Sequence, residues 1–385
     1  MVRKRAKRLA GAVLAAGVIT AMPFQAFAQR SPEFAYSAEK WATLRDNKLE
    51  FDEISDLVHE YNPTVVQNEI SYKDYLTKNR DDVAQDYYDK ANEIYSNINY
   101  PDSDDANYGS GVAAALRNEQ QAKSLMEQGD ENTDDQATMR IQYDQAEARL
   151  AKQAEGLMIT YWTQYYNLDS AKARIAQAKL SCQSEQNRLA AGMSTKAKVL
   201  SAKESVSNAE AALVTAESNL ASTKESLCLM LGWGYGADVE IAELADPDQS
   251  KIAAIDVSAD IQTALENSYA YRLTRKQLTN ARTDTVKEKL TETEKNQKET
   301  ISNSVKSAYD SLLLAQSGYE QAQSALALQE VSMKSADAKL AAGTITKNTY
   351  ENQKASYTTA QTQKLSLLQA MNDYDWAVNG LASAE

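Results

Sequence analysis

Histidine, cysteine and convergent carboxylates are the side chains that most often carry chemistry, and this chain is poor in the first two. His59 is its single histidine, set in the first amphipathic helical pattern, where it reads as a surface or packing residue. No His/Cys/Asp cluster with metal-ligand spacing accompanies it. There is no Gly-rich phosphate loop and no Gly-x-Ser-x-Gly nucleophile elbow. Carboxylates are plentiful, but they fall at helical spacing beside lysines, where ion pairing on a solvated face accounts for them. The expectation is a protein that is not an enzyme, with no catalytic residue, no metal and no cofactor. Tyr161, Trp162, Tyr165 and Tyr166 form an aromatic group with three readings: packing along a helical seam, which is the simplest, the lining of a passage, or stacking on a ligand.

The two cysteines, Cys182 and Cys228, lie on either side of a turn near Met193. If the flanking arms form a straight hairpin, their heights differ by roughly 36 Å. A disulfide needs Cα atoms within about 7 Å, so no bridge within the chain is expected.

The elements that hold these residues are written in a repeat. Leu189-Ala190-Ala191-Gly192-Met193-Ser194-Thr195-Lys196 matches Leu340-Ala341-Ala342-Gly343-Thr344-Ile345-Thr346-Lys347, with six of eight residues identical. Each copy sits between long helical patterns. Glycine takes the left-handed conformation that ends a helix, and Thr195 and Thr346 can cap the returning helix. Each copy therefore predicts the tip of an antiparallel helical hairpin.

The arms agree. After the first tip Val199, Ala202, Val206, Ala209, Leu213, Ala216, Leu220, Thr223 and Leu227 alternate steps of three and four. Tyr350 to Val378 repeats that register after the second tip, and Val305 to Leu340 carries it on the entering arm. Such spacing is the mark of coiled-coil packing. Only five prolines interrupt the chain, leaving long proline-free stretches after Pro101 and Pro247. Much of the 43% hydrophobic content is alanine, which suits slender helices packed closely. The fold class expected is all-α: an elongated bundle of antiparallel coiled-coil hairpins in two homologous halves. Leu49 to Ile54 and Asp260 to Leu265 open the halves, Gly232-Trp233-Gly234-Tyr235-Gly236 breaks the helix between them, and Val239 to Ile241 reads as a short strand. Asn97 to Asp135 reads as an irregular polar loop.

Arg3, Lys4, Arg5, Lys7 and Arg8, an apolar stretch from Leu9 to Phe24, and Ala26-Phe27-Ala28 have the order of a secretory leader. Residues 1–28 are expected to be a cleaved signal, 29–246 a first structural repeat and 247–385 a second. Removing the five positive charges of the leader moves the net charge from −13 to about −18. An acidic exported chain is a poor ligand for nucleic acid or anionic lipid, and no nucleic-acid partner is expected.

Taken together, Asn62-Pro63-Thr64, the tip at Leu189 to Lys196, Leu231-Gly232, the tip at Leu340 to Lys347 and Asn379-Gly380 give a doubled order that resembles the TolC-type outer-membrane efflux family. The resemblance covers most of the chain from about Leu49 onward, although the second half lacks an Asn-Pro of its own. It implies a homotrimer whose hairpins form a hollow α-helical tunnel. It also implies that the tips (Leu189, Ala190, Ala191, Gly192, Thr195 and Lys196 with Leu340, Ala341, Ala342, Gly343, Thr346 and Lys347) dock on a periplasmic-type adaptor, a membrane fusion protein bound to an inner-membrane exporter. The location implied is the cell envelope or cell surface, associated with the outer membrane where the host has one.

Two departures stand against that pattern. The family's barrel strands, which need about 9–11 alternating residues each, have no counterpart here; Asn280 to Ser302 reads as one continuous charged helix. Near the narrow tunnel end, where the family often has acidic residues, stand Thr349 and Asn352, while Lys196, Lys198 and Lys347 make the tips basic. Lys198, Thr349 and Asn352 are thus the expected tunnel-end lining, without an acidic gate; the lysines read equally as solvated surface. Two functions follow: an efflux duct docking on an adaptor, or a non-conducting structural coiled-coil protein of the cell envelope.

Overall fold

The computed structural model describes residues 30–382, so the leader expected over residues 1–28 lies outside the described residues. The first half opens with α1 (Ala38–Leu44), a two-residue strand β1 (Lys48–Leu49), α2 (Ile54–Tyr61) and α3 (Pro63–Tyr72). Next come α4 (Arg80–Ser96) and α5 (Tyr108–Glu131), then the long pair α6 (Gln136–Ala190) and α7 (Lys196–Met230). After β2 (Glu240–Ile241), the second half has α8 (Gln249–Ala253), α9 (Val257–Asn267), α10 (Tyr269–Asn280), and the long pair α11 (Asp284–Ala341) and α12 (Lys347–Trp376). The fold is all-α and elongated, as the periodicity requires: at 1.5 Å per residue the 58 residues of α11 extend about 87 Å.

The three-four spacing marks the faces that pack. On α7 each of the nine seam positions is buried or half-buried, while from Leu200 to Ser222 the positions between them are exposed. On α11, Val305, Leu312, Tyr319 and Ala336 are buried at the same register. α6 packs on α7 and α11 on α12, and the hairpins join through α6 against α12. The four long helices therefore form a layer in the order α7, α6, α12, α11. The short helices cover one end of it: α2, α3 and α10 lie on α6, and α9 and α10 on α11.

Two apolar clusters hold that end. One gathers Trp41, Leu49, Ile54, Leu57, Met158, Leu227, Leu231 and Trp233; the other gathers Ala264, Ile301, Val305, Leu312, Leu367 and Tyr374. β1 and β2 pair in parallel, Lys48 opposite Glu240 and Leu49 opposite Ile241, and are the only strands among the described residues. The expected strand at Val239 to Ile241 is therefore present in short form.

One expectation is overturned in part. Asn97 to Asn107 is irregular, but from Tyr108 α5 runs for 24 residues and pairs with α4 as a helical hairpin. Its glycines disguised it. Gly109 and Gly111 fall in the first turn, and Gly129, near the last, lies where a Cβ would stand 2.4 Å from the Tyr88 ring. The charged segment from Asn280 to Ser302 is not one helix either: Ala281 is extended, and Thr283 caps α11 afresh. No helix among the described residues is long and apolar enough to cross a membrane.

Candidate functional site

The two tips share the same helix-ending and capping bonds. At the end of α6 the Gly192 amide donates to Leu189 O at 3.0 Å and the Met193 amide to Arg188 O at 2.7 Å. At the end of α11 the Gly343 amide donates to Leu340 O at 3.0 Å and the Thr344 amide to Lys339 O at 2.8 Å. This pair of bonds is the Schellman ending, which requires a left-handed residue just past the helix; Gly192 has φ 74° and Gly343 φ 69°. Thr195 Oγ1 then accepts from the Lys198 amide, and Thr346 Oγ1 from the Thr349 amide, so each threonine caps the returning helix. In the first tip Ser194 Oγ also donates to Glu185.

Leu189 and Leu340 are half-buried under their tips, whereas Ala190, Ala191, Thr195 and Lys196, and Ala341, Ala342 and Thr346, are exposed. Lys198 and Thr349 stand exposed in the first turns of α7 and α12. The side chains of Lys347 and Asn352 lie outside the described residues. Among the described residues each tip is a small, largely exposed cap. Lys152 pairs with Asp373 and Trp376 donates to Glu155, so the tip-distal parts of α6 and α12 lie side by side and both tips lie at the same end of the layer.

The opposite end is locked by side chains that sequence reading only half recovered. Asn62 accepts from the amides of Thr64 and Val65, capping α3, and its Nδ2 donates to Met230 O at 2.7 Å. Gly232 lies close by, where an added Cβ would be 2.5 Å from Tyr61 Cβ. Thus Asn62-Pro63 and Leu231-Gly232 are two sides of one junction. The second half builds the same junction without Asn-Pro: buried Ser268 caps α10 by accepting from the Tyr271 amide, Asn267 Nδ2 donates to Val378 O, and Gly380 packs on Asn267 and Tyr269. The missed signal was Ser268 itself, a capping residue at the corresponding position.

The aromatic group divides. Trp162 Nε1 donates to Ala242 O at 2.9 Å and the Tyr166 hydroxyl to Glu243 at 2.6 Å, tying α6 to the segment after β2; Tyr165 is exposed. His59 is packed, with Nδ1 2.6 Å from Glu147 Oε1 and 2.8 Å from Arg30 Nη1. Burial disfavours ionisation of Glu147, yet His59 and Arg30 outweigh it and hold the carboxyl below the usual range. Both cysteines are free and buried, and burial pushes the Cys228 thiol up to about 11.

No family profile matches the sequence, and no curated protein sequence matches it. Solved structures do match. A membrane protein from Pseudomonas aeruginosa superposes with a TM-score of 0.53 at 11% identity, over 86% of this chain and 90% of that one. The outer-membrane channel OprN superposes with a TM-score of 0.50 at 10% identity, over 90% and 93%. The chain has the TolC-type fold. A looser match is the outer-membrane protein VceC from Vibrio cholerae, with a TM-score of 0.47 at 13% identity over 86% and 96%. Within this TolC-type fold, the described residues place the α4–α5 hairpin between α3 and α6, and only residues 281–283 between α10 and α11.

Proposed function

We propose that the protein is a TolC-like export duct of the cell envelope, a ring of three chains whose tips dock on an adaptor of an exporter. The observation that carries this reading is the unpartnered state of both edges of the helical layer. Edge helix α7 exposes Leu200 and Val214, and edge helix α11 exposes Leu314 and Leu328, with 65–76% of each side chain accessible. Each pair is spaced by fourteen residues, two heptads, and so lies near one face of its helix. An edge of one kind meeting an edge of the other is a head-to-tail contact, which closes a ring when the rotation permits. Repeats at 29–246 and 247–385 give such a ring alternating hairpins.

In that assembly the tips at Leu189 to Lys196 and Leu340 to Lys347 form the adaptor-facing rim, with Lys198, Thr349 and Asn352 lining the narrow end. The acidic gate of the family has no place there, so no cation selectivity is assigned. The outer membrane is the location this fold supports where the host has one, and no reaction is assigned to the chain.

Light scattering of the purified mature protein without detergent tests the ring. Three chains per particle are expected, and Val214→Glu or Leu314→Glu should return the mass to one chain while the helical circular-dichroism signal is kept. A stable monomer in the parent protein would favour the non-conducting structural role instead. For docking, replacing Gly192 and Gly343 together with bulky residues should abolish capture of the adaptor; undiminished capture would remove that part of the reading.

A further inference from the structure

The α4–α5 hairpin is the element that the duct reading leaves unused. Its helices meet through buried Ala84, Ala91, Ala115 and Ala122, and among the described residues no other helix packs extensively against either. The base is fastened to the body: Asn280 Nδ2 donates to Thr133 O, Lys276 pairs with Asp135, and Arg282 with Asp81. The far end is shaped as well. A Cβ on Gly111 would lie 2.7 Å from the Pro101 ring, and the Tyr100 hydroxyl donates to Glu119 at 2.9 Å. The connecting loop is thereby held against the start of α5 rather than left free.

This fixed surface combines two properties. It exposes Tyr95, Tyr100, Tyr108 and Leu116, each 39–54% accessible, within a short stretch of chain. It is also strongly acidic: residues 80–131 hold twelve carboxylates against four basic side chains, a net −8. Among the described residues no group of three or more His, Cys, Asp and Glu is placed to hold a metal ion. The carboxylates of Asp102, Asp104 and Asp105 thus present a spread negative field, not a cation site.

We propose that the distal half of the hairpin, residues 95–116, is a docking surface for a basic amphipathic segment of a partner protein. Its lysines or arginines would face Asp102, Asp104 and Asp105, and its apolar face would cover the tyrosines and Leu116. Charge decides among the possible occupants. A second copy would bring another −8 against this one, and an anionic lipid surface would likewise face like charge, both disfavoured at separations within the Debye length of about 8 Å. Tyrosine is enriched at the buried centres of interfaces, and a surface already held in shape loses little freedom on binding. The proposal concerns a single chain and stands whether or not three chains close a ring.

The test is fluorescence anisotropy of a labelled lysine–leucine amphipathic helix titrated with the full mature protein at low and moderate salt. Saturable binding is expected. Tyr95→Ser with Tyr108→Ser should weaken it roughly tenfold through lost apolar contact. Asp102→Asn, Asp104→Asn and Asp105→Asn together should weaken it comparably and flatten its salt dependence. Glu204→Gln, Glu217→Gln and Glu266→Gln, at exposed positions outside the hairpin, should leave it unchanged. All these side chains are exposed, so unchanged melting is expected and the two hairpin variants check each other. Equal loss in the Glu→Gln set, or parent-like binding in both hairpin variants, overturns the proposal. So does a changed particle mass in the hairpin variants, which would point to a second copy, or loss in them of sedimentation with phosphatidylglycerol vesicles, which would point to a membrane.

Discussion

The Asn62 side-chain amide donates to the Met230 carbonyl at 2.7 Å, joining positions 168 residues apart. The same side chain accepts from two amides at the start of α3, so one buried residue caps one helix and holds the end of another. In the second half Ser268 takes the cap and Asn267 the cross-link. Asn62→Ala should therefore destabilise the fold by about 2–3 kcal/mol, a lost cap plus a lost buried bond, and Ser268→Ala by about 1 kcal/mol. Urea denaturation of the two variants gives the comparison, and equal losses would mean the cross-link adds nothing.

Gly192 and Gly232 share a positive φ but differ in surroundings. Nothing lies within 4 Å of a Cβ placed on Gly192, so Gly192→Ala carries only backbone strain, about 1–2 kcal/mol. On Gly232 the Cβ would also meet Tyr61 Cβ and the Tyr61 carbonyl, at 2.5 and 2.7 Å. Gly232→Ala should cost about 3 kcal/mol or more. Thermal melts separate the two, and the milder variant is the one suited to docking experiments.

Arg80 is 9% exposed, and its guanidinium donates to the carbonyls of Asn132, Gly129 and Asp130 at the end of α5. Arg80→Ala leaves those carbonyls without their cation, at about 2–4 kcal/mol. These bonds close the base of the hairpin itself, joining the start of α4 to the end of α5, so the loss should be local. Hydrogen exchange should speed up across Tyr108–Glu131 while α6 keeps its protection.

Burial pushes the Glu155 carboxyl above its ordinary range, and hydrogen bonds from Trp376, Asn372 and Ser55 offset only part of that. The folded chain then keeps a proton that the unfolded chain has released. This contribution to stability is fully present below the unfolded-state pKa, near 4.3 for glutamate, and is lost as pH rises through the folded value. Glu155→Gln removes the titration while keeping a hydrogen-bond acceptor. Its stability relative to the parent should rise with pH from about 4 upward, and a pH series of denaturation curves reads the slope directly.

The hairpins and their tips were legible because their causes are local. Gly192 and Gly343 must be glycine for the left-handed turn, Thr195 and Thr346 sit at the capping position, and the seam from Val199 to Leu227 repeats with the helix. The α4–α5 hairpin was not legible, because Asp102, Asp104, Asp105, Asn107 and Gly109 to Gly111 argue for a loop when judged alone. Gly129 makes sense only once Tyr88 is seen lying against it, and Gly111 only beside Pro101.

Sequence alone thus determined the helical class, the two tips and the faces of the long helices, since periodicity and capping act within one or two turns. Only the tertiary structure decided the order α7, α6, α12, α11, and with it which helices become edges with unpartnered leucines. It also decided that Ser268 stands in for Asn62, and that a helical hairpin fills the place between α3 and α6. These outcomes depend on contacts between residues far apart in the chain, whose free energy comes from burial and close packing and leaves no fixed spacing in the sequence.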